Sequence, residues 1–507
     1  VIPYVRKLAD NGVQFDTHYV SAPVCCPSRS SLWAGRHPHK IPHPQAKNPS
    51  LIVNGVWNNY EGNAQNYTDL MGDVLTRNGY NVLLSGKEDW FTGGHSLNVQ
   101  LNSWTMYTEF PYNVNKSGGW YDEDGCTSNG TISSTTNMKR HSDWKTADST
   151  TAWIEKQAKE QQAVEPTEAR PFFAYQGMNI VHPDYVTNEY WIQKIDQDKV
   201  QVPSWEPLKD LHPCDFQSSM LKKCTPADTD AEQFYSLVRR KRIRSIYYAM
   251  IAEFDGMVGE YVAAVEQAGV THNTVFIVTS DHGDMNMEHQ QFYKMVQYDA
   301  SSRVPLVISG AGVTAIGKFI TSPTSHVDLF PTIMELAGIS VDKRPSVLDG
   351  ESLVDFLSDT TTPTHSDFAV SQFHGCNIAM SWYLAVNGTY KYVVFGTGKE
   401  VPAQLFDLTQ DVEEKTNLAK KLPEVVAELD AKLRQVVDYP AVSLDVATYN
   451  QLSFRAWTNR TNDWQKVVAT GRCMYRFCIV FVAVCIVFIA ISRCFSHLSL
   501  FLFCNIG

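Results

Sequence analysis

Thr274–Gly283 reads Thr-Val-Phe-Ile-Val-Thr-Ser-Asp-His-Gly. A compact apolar run, rich in β-branched and aromatic residues and closed by polar turn residues, is the pattern of a buried parallel strand. Here its carboxyl end delivers an aspartate and a histidine. The same arrangement recurs in both directions along the chain. Phe172–Gln176 is a second such run and leads to His182-Pro183. Asn81–Ser85 is a third, leads to Gly86-Lys87, and follows a helical pattern over Thr68–Asn78 whose end Gly79 marks. Val13–Val20 reads as a strand, after which Cys25-Cys26-Pro27-Ser28-Arg29 leads into a helix over Ser28–Ala34. Arg303–Ser309 is a further strand, and helical stretches cover Thr146–Lys159 and Phe234–Ala268. Strands alternating with helices predict an α/β fold, with a mainly parallel sheet sandwiched by helices.

That rhythm lapses over Leu357–His365, a Thr/Pro/Ser-rich stretch. Strand-like runs follow at Phe368–Phe373, Ser381–Val386 and Tyr390–Phe395, then a helix from Pro423 to about Val437. The expected organisation is a large α/β domain over residues 1–360 and a smaller C-terminal α+β subdomain over 361–465. Beyond these, residues 474–505 form an apolar tail in which every residue from Phe477 to Ile491 is apolar. That run falls short of the roughly 20 residues that span a bilayer. With Ser492 and Arg493 tolerated near one end by snorkelling, it reads either as a membrane segment or as no natural part of the protein.

Of the 507 residues, 44% are hydrophobic and 19% charged, enough to bury a sizeable core. The formal net charge of −11 argues against nucleic acid as a partner. It also means that an anionic substrate must be captured by a local cluster of cations. The eleven cysteines are scattered rather than arranged as a disulfide framework. Cys214 and Cys224 either close a short loop in an oxidising compartment or remain two thiols. Asn-x-Ser/Thr patterns at Asn66, Asn115, Asn129, Asn387 and Asn459 permit a secretory reading without requiring it.

Ligands of open parallel sheets bind outside the carboxyl ends of the strands. The strand ends here bring Cys25, Arg29, Lys87, His182, Asp281 and His282 to one rim. Each has a bland explanation taken singly, since a cysteine before a helix is usually a small buried hydrophobe and an aspartate there a cap. As a set they suit a tetrahedral anion, which needs cations around its oxygens and a nucleophile in line. Asp281 and His282 could ligate a divalent cation, Ca²⁺ or Mg²⁺. Lys87 and Lys294 could hold the anion's oxygens, and a histidine could protonate a leaving alcohol.

Cys25–Arg36, Cys-Cys-Pro-Ser-Arg-Ser-Ser-Leu-Trp-Ala-Gly-Arg, resembles the sulfatase signature Cys-x-Pro-Ser-Arg-x-x-Leu-x-x-Gly-Arg. The resemblance continues through Ile2–Val20, Ser280–Gly283, Glu288-His289, Lys294, Tyr298, Val304–Leu306, Ser325–Ala337 and Leu405–Leu418. It covers nearly everything to about residue 440 and implies an alkaline-phosphatase-like fold. It also implies that Cys25 is oxidised by the formylglycine-generating enzyme to formylglycine (3-oxoalanine), whose hydrate attacks sulfur and later expels sulfate. Pro27 and Arg29 resemble the recognition residues for that oxidation, and Arg29 would afterwards steady the hydrate. Lys87, His182 and Lys294 match positions that contact sulfate or serve the leaving group, and Asp281 and His282 match two ligands of a calcium ion. Val24–Arg29, His282–Met295 and Ser371–Asn377 carry a closer likeness to sulfatases of 2-sulfated glucuronate. That branch implies a sulfated glycan substrate, glycosaminoglycan degradation and a lysosomal or secreted location.

Three departures stand out. Asp89 occupies the place two residues after Lys87 where many relatives have histidine, so His95 is the stand-in. His374 reads either as a substrate-pocket residue or as a structural histidine. The strand that carries the family's first two aspartate ligands would precede Val1, so the chain as written is expected to bind metal weakly and turn over little. Two other readings stay open: a phosphomonoesterase or phosphodiesterase of the alkaline phosphatase superfamily, and an inactive, membrane-tethered glycan-binding relative.

Overall fold

The computed structural model describes residues 1–41, 69–87, 130–165, 167–206, 210–215, 236–374 and 381–448. The strands of the larger, α/β part are β1 (Gly12–Phe15), β2 (His18–Tyr19), β3 (Asn81–Gly86), β4 (Thr131–Ser133), β5 (Phe172–Gly177), β6 (Val186–Asn188), β7 (Val275–Thr279), β8 (Leu306–Gly310), β9 (Lys318–Ile320) and β10 (Thr324–Ser325). Among the described residues, β3–β5, β4–β6, β1–β9 and β2–β10 pair in parallel. Only β8 runs against its neighbours, β7 on one side and β1 on the other. The sheets are therefore mixed, with most pairs parallel. The expected single strand over Val13–Val20 is broken into β1 and β2, which pair with different partners.

The long helix Leu237–Gln267 lies against the helix Asp143–Gln162, and Pro3–Asp10 rests on the long helix in turn. Asp255 on the long helix accepts from the backbone N–H of Tyr4 at 3.1 Å and Val5 at 2.8 Å. It thereby satisfies the open N-terminus of the Pro3–Asp10 helix. The helices Cys25–Ala34 and Leu329–Leu336 cover another face, with Trp33, Met71, Val74, Phe330 and Met334 in one apolar cluster. No helix among the described residues is long and apolar enough to cross a membrane, and 474–505 lies outside them. Cys224 also lies outside the described residues, so the Cys214–Cys224 pairing does too.

The C-terminal strands β11 (Ala369–Phe373), β12 (Trp382–Val386), β13 (Tyr390–Phe395) and β14 (Gln404–Asp407) form an antiparallel meander. Alternation along each strand divides its side chains between two apolar faces. Tyr383, Ala385, Tyr392 and Val394 pack on Leu429 and Leu433 of the helix Pro423–Val436. Leu384, Val386, Val393 and Phe395 pack on Tyr19, Ala22 and Val24, the residues just before Cys25. The smaller sheet is therefore the floor beneath the approach to Cys25.

A buried ionic cluster fastens that floor. Lys391 on β13 donates to Asp299 Oδ1 at 2.7 Å and to the Gln297 carbonyl at 3.1 Å, and it also pairs with Glu414. Tyr19 donates to the same Asp299 oxygen at 2.7 Å. Two carboxyls share one lysine, so they cannot both be charged without cost. Burial and the neighbouring Asp299 charge push Glu414 up to about 7, against the opposing pull of Lys391. The folded chain thus keeps a proton that the unfolded chain releases. Stability from Glu414 is complete below its ordinary value of 4.5 and is lost as pH rises toward 7. Between about pH 5 and about pH 7.5, wild type should lose on the order of 2 kcal/mol more than Glu414→Gln, measured by urea unfolding at each pH.

Candidate active site

The helix Cys25–Ala34 begins on the cysteine itself. Pro27 falls in its first turn, where a missing N–H costs nothing. Gly35 ends the helix at φ 63°, and a Cβ there would come within 2.7 Å of Leu348 and 2.9 Å of Phe330. The glycine of the Cys25–Arg36 motif is thus required twice over, by its left-handed backbone and by close packing.

Three strand ends meet this helix. β3 and β5 run in register from Asn81↔Phe172 to Gly86↔Gly177, and Lys87 N–H continues the ladder onto the Gly177 carbonyl at 2.7 Å. A Cβ on Gly177 would sit 1.9 Å from the Lys87 carbonyl oxygen, so only glycine permits this approach. After β5 the chain turns into His182. Asp143 holds that turn by accepting from the backbone N–H of Asn179 at 2.6 Å and Ile180 at 2.9 Å. After β7 come Asp281 and His282, and a loop from Asp284 returns to Lys294.

Cys25 is 1% exposed, and its Sγ lies 2.9 Å from Lys294 Nζ, 3.2 Å from Lys87 Nζ and 3.3 Å from His282 Nε2. Burial alone would raise this thiol, but Lys294, then Lys87 and His282, hold it well below its ordinary value. Lys294 is itself fully buried, and burial lowers its ammonium. Arg29 Nε donates to Asp281 Oδ2 at 2.8 Å, while its Nη1 donates to the Lys87 carbonyl at 2.9 Å and to the Tyr175 hydroxyl. Burial opposes the Asp281 charge, yet Arg29 and the surrounding cations keep the carboxyl well below the usual range. His182 Nδ1 lies 2.7 Å from the Pro183 carbonyl and Nε2 3.2 Å from the Tyr293 hydroxyl. Burial, with Lys294 and Lys87 nearby, keeps this imidazole neutral.

The seven residues Cys25, Arg29, Lys87, His182, Asp281, His282 and Lys294 thus belong to one network. His374 follows β11, buried with its Nδ1 3.5 Å from the Tyr383 hydroxyl, and burial with nearby His39 lowers it to about 3. His95 and Asp89 lie outside the described residues. Tyr175 was not legible beforehand, because a tyrosine in an apolar strand carries no signal until Arg29 is found beside it.

The family model described as Sulfatase matches residues 1–339, two thirds of the chain. The chain belongs to the sulfatase family. A second family model, N-sulphoglucosamine sulphohydrolase C-terminal, matches residues 287–438. Arylsulfatase K of Xenopus laevis is 36% identical over 499 residues, covering 92% of this chain and 86% of that protein. Arylsulfatase K of Homo sapiens is 34% identical over 499 residues, covering 92% and 85%. Among solved structures, the phosphonate monoester hydrolase of Agrobacterium radiobacter superposes with a TM-score of 0.65 at 22% identity, covering 86% of this chain and 90% of that one. BT1596, a 2-O GAG sulfatase, gives 0.56 at 19%, covering 88% and 87%. The two structures agree with the alkaline-phosphatase-like fold, and the family sets the reaction class: this sulfatase hydrolyses sulfate esters.

The family implies a formylglycine and a metal ion. The surroundings of Cys25 fit the first, because two ammonium groups and an imidazole lie where an aldehyde hydrate and its anionic partner would need donors. For the second, Asp281, His282 and Cys25 present ligand atoms within 4.8 Å of one another. A carboxylate and an imidazole make one side of a cation site, against the six to eight oxygens that calcium takes. Removing Arg29 would take away the strongest of the charges that hold the Asp281 carboxylate, leaving it to His282, Lys87 and Lys294. Arg29→Met should therefore cost about 3–5 kcal/mol in urea unfolding, and adding Asp281→Leu should recover much of it.

Proposed function

We propose that this sulfatase removes sulfate from 2-sulfated glucuronate of glycosaminoglycan chains, using formylglycine made from Cys25 by the formylglycine-generating enzyme. The observation that carries the reading is the convergence of Lys87, Lys294 and His282 on the Cys25 thiol. The likeness to arylsulfatase K, and to a solved 2-O GAG sulfatase of the same fold, supports the substrate class.

Formylglycine supplies a hydrated aldehyde, an oxygen nucleophile that a thiol or serine cannot replace in kind. Lys87 and the buried Lys294 bind the sulfate oxygens as paired point charges. Arg29 keeps the start of the nucleophile helix fixed against the β7 end through Asp281. His182 rests neutral with its proton on Nδ1; the negative charge of a bound sulfate ester offsets the nearby lysines and favours a proton from solvent on Nε2, which that nitrogen then passes to the leaving oxygen. Asp281 and His282 would hold a divalent cation, for which we propose calcium. It would add positive charge against the sulfate oxygens. The arylsulfatase K likeness supports a lysosomal or secretory location.

The deciding experiment is the mass of the tryptic peptide Leu8–Arg29 from protein made in animal cells. The expected result is loss of the Cys25 thiol in favour of an aldehyde, followed by turnover on 2-sulfated glucuronate in preference to 6-sulfated glucosamine. An intact thiol in cells competent for the oxidation, together with glycan binding but no turnover, would replace this reading with that of an inactive binder. Preference for another sulfated sugar would overturn the substrate alone. Calcium should raise the melting temperature of the wild-type protein, and Asp281→Ala should abolish the increment measured by calorimetry.

A further inference from the structure

We propose that Tyr293 is a positioning residue of this site, holding His182 and Lys294 together in the orientations they need beside Cys25. The proposal rests on the sulfatase reading of the site and assigns a role to a residue inside the His282–Met295 stretch for which the sequence analysis named none.

Two contacts converge on one side chain. The Pro183 carbonyl can only accept, so His182 Nδ1 donates to it at 2.7 Å and Nε2 is left as an acceptor. The Tyr293 hydroxyl fills that role, donating to Nε2 at 3.2 Å. The two rings also meet edge to face, with centroids 5.4 Å apart and planes at 87°. Meanwhile Lys294 Nζ lies 4.4 Å from the centroid of the Tyr293 ring. This cation–π contact turns the ammonium toward Cys25 Sγ, 2.9 Å away. Phenylalanine could seat the lysine and serine could donate a proton; only tyrosine does both from one position.

The backbone supports the assignment. Tyr293 and Met295 adopt φ of 74° and 77°, a left-handed conformation that side chains of their size seldom take. Such strain persists only where its surroundings over-determine it, and it concentrates at working sites. Here Asp284 Oδ1 accepts from Tyr293 N–H at 3.2 Å, the Tyr293 carbonyl accepts from Met285 at 2.6 Å, and Met295 N–H donates to the Pro23 carbonyl at 3.2 Å. The last bond ties the loop to the residues just before Cys25. Tyr293 itself is 4% exposed.

The test compares Tyr293→Phe and Tyr293→Leu with wild type, in full chain from animal cells and with melting temperatures checked first. Tyr293→Phe keeps the seat for Lys294 and loses the hydrogen bond to His182. It should leave KM within about twofold and lower kcat about tenfold or more on a sulfated sugar. It should change turnover of 4-nitrophenyl sulfate little, because that leaving group needs little protonation. Tyr293→Leu should raise KM for both substrates as well. Long-range ¹H–¹⁵N spectra of the histidine rings give a readout that needs no turnover. The His182 Nε2 resonance should move in Tyr293→Phe. An unmoved Nε2 resonance, or equal losses on both leaving groups, would overturn the proposal. A resonance that moves in Tyr293→Phe, while the wild-type chain hydrolyses no sulfate ester, would uphold the positioning role and remove only the sulfatase reading.

Discussion

The buried pair of Arg29 and Asp281 is the constraint around which the rest of the site is organised. Taking both charges out of water is costly, and the cost is met only with good geometry and with the remaining donors satisfied. A guanidinium presents five N–H groups in a rigid fork. Arg29 spends that fork on Asp281 at the end of β7, on the Lys87 carbonyl beyond β3, and on Tyr175 in β5. One side chain on the Cys25 helix therefore ties together three strand ends. Its charge also lets Asp281 stay ionised among buried groups, which keeps a carboxylate beside His282.

With that frame set, the remaining cations can be held close to one another. Lys87 and Lys294 repel, and Lys294 is fully buried, so neither would stay without a compensating group between them. The Cys25 sulfur, 2.9 Å from Lys294 Nζ and 3.2 Å from Lys87 Nζ, is that group. A site built to hold two ammonium groups around a small central atom has its affinity for a tetrahedral anion prepared in advance, before any substrate arrives. The smaller sheet completes the arrangement from below, because its inner face packs against Tyr19, Ala22 and Val24 and fixes the segment leading to Cys25. The buried Lys391 cluster joins that sheet to Asp299, only a few residues from Lys294.

Much of this was legible in the sequence where a local rule applies. Compact apolar runs marked β3, β5, β7 and β8 to within a few residues, because a strand inside a helix-covered sheet is apolar along its length, although only β8 is mostly buried among the described residues. Polar residues at the carboxyl ends of those runs marked the rim, and Gly35 marked the end of the Cys25 helix through its left-handed φ. The break between β1 and β2 was not legible. Val13–Val20 is continuous as a pattern, and the division arises because β1 joins β8 and β9 while β2 joins β10. Strand direction was equally hidden: nothing in Leu306–Gly310 distinguishes an antiparallel strand from a parallel one.

The sequence by itself determined the α/β class, the sulfatase membership carried by Cys25–Arg36, and the set of side chains offered to the rim. These depend on residue identity and on spacing along a single element, where the period of helix or strand makes chemistry readable. Only the tertiary structure decided which of those side chains meet. Tyr175 and Tyr293 joined the network, because contacts between residues more than a hundred positions apart depend on strand order and loop path. The charge states followed from the same cause. Burial together with a neighbour's charge holds Asp281 down and Glu414 up, and neither burial nor neighbour is fixed until the chain has closed on itself.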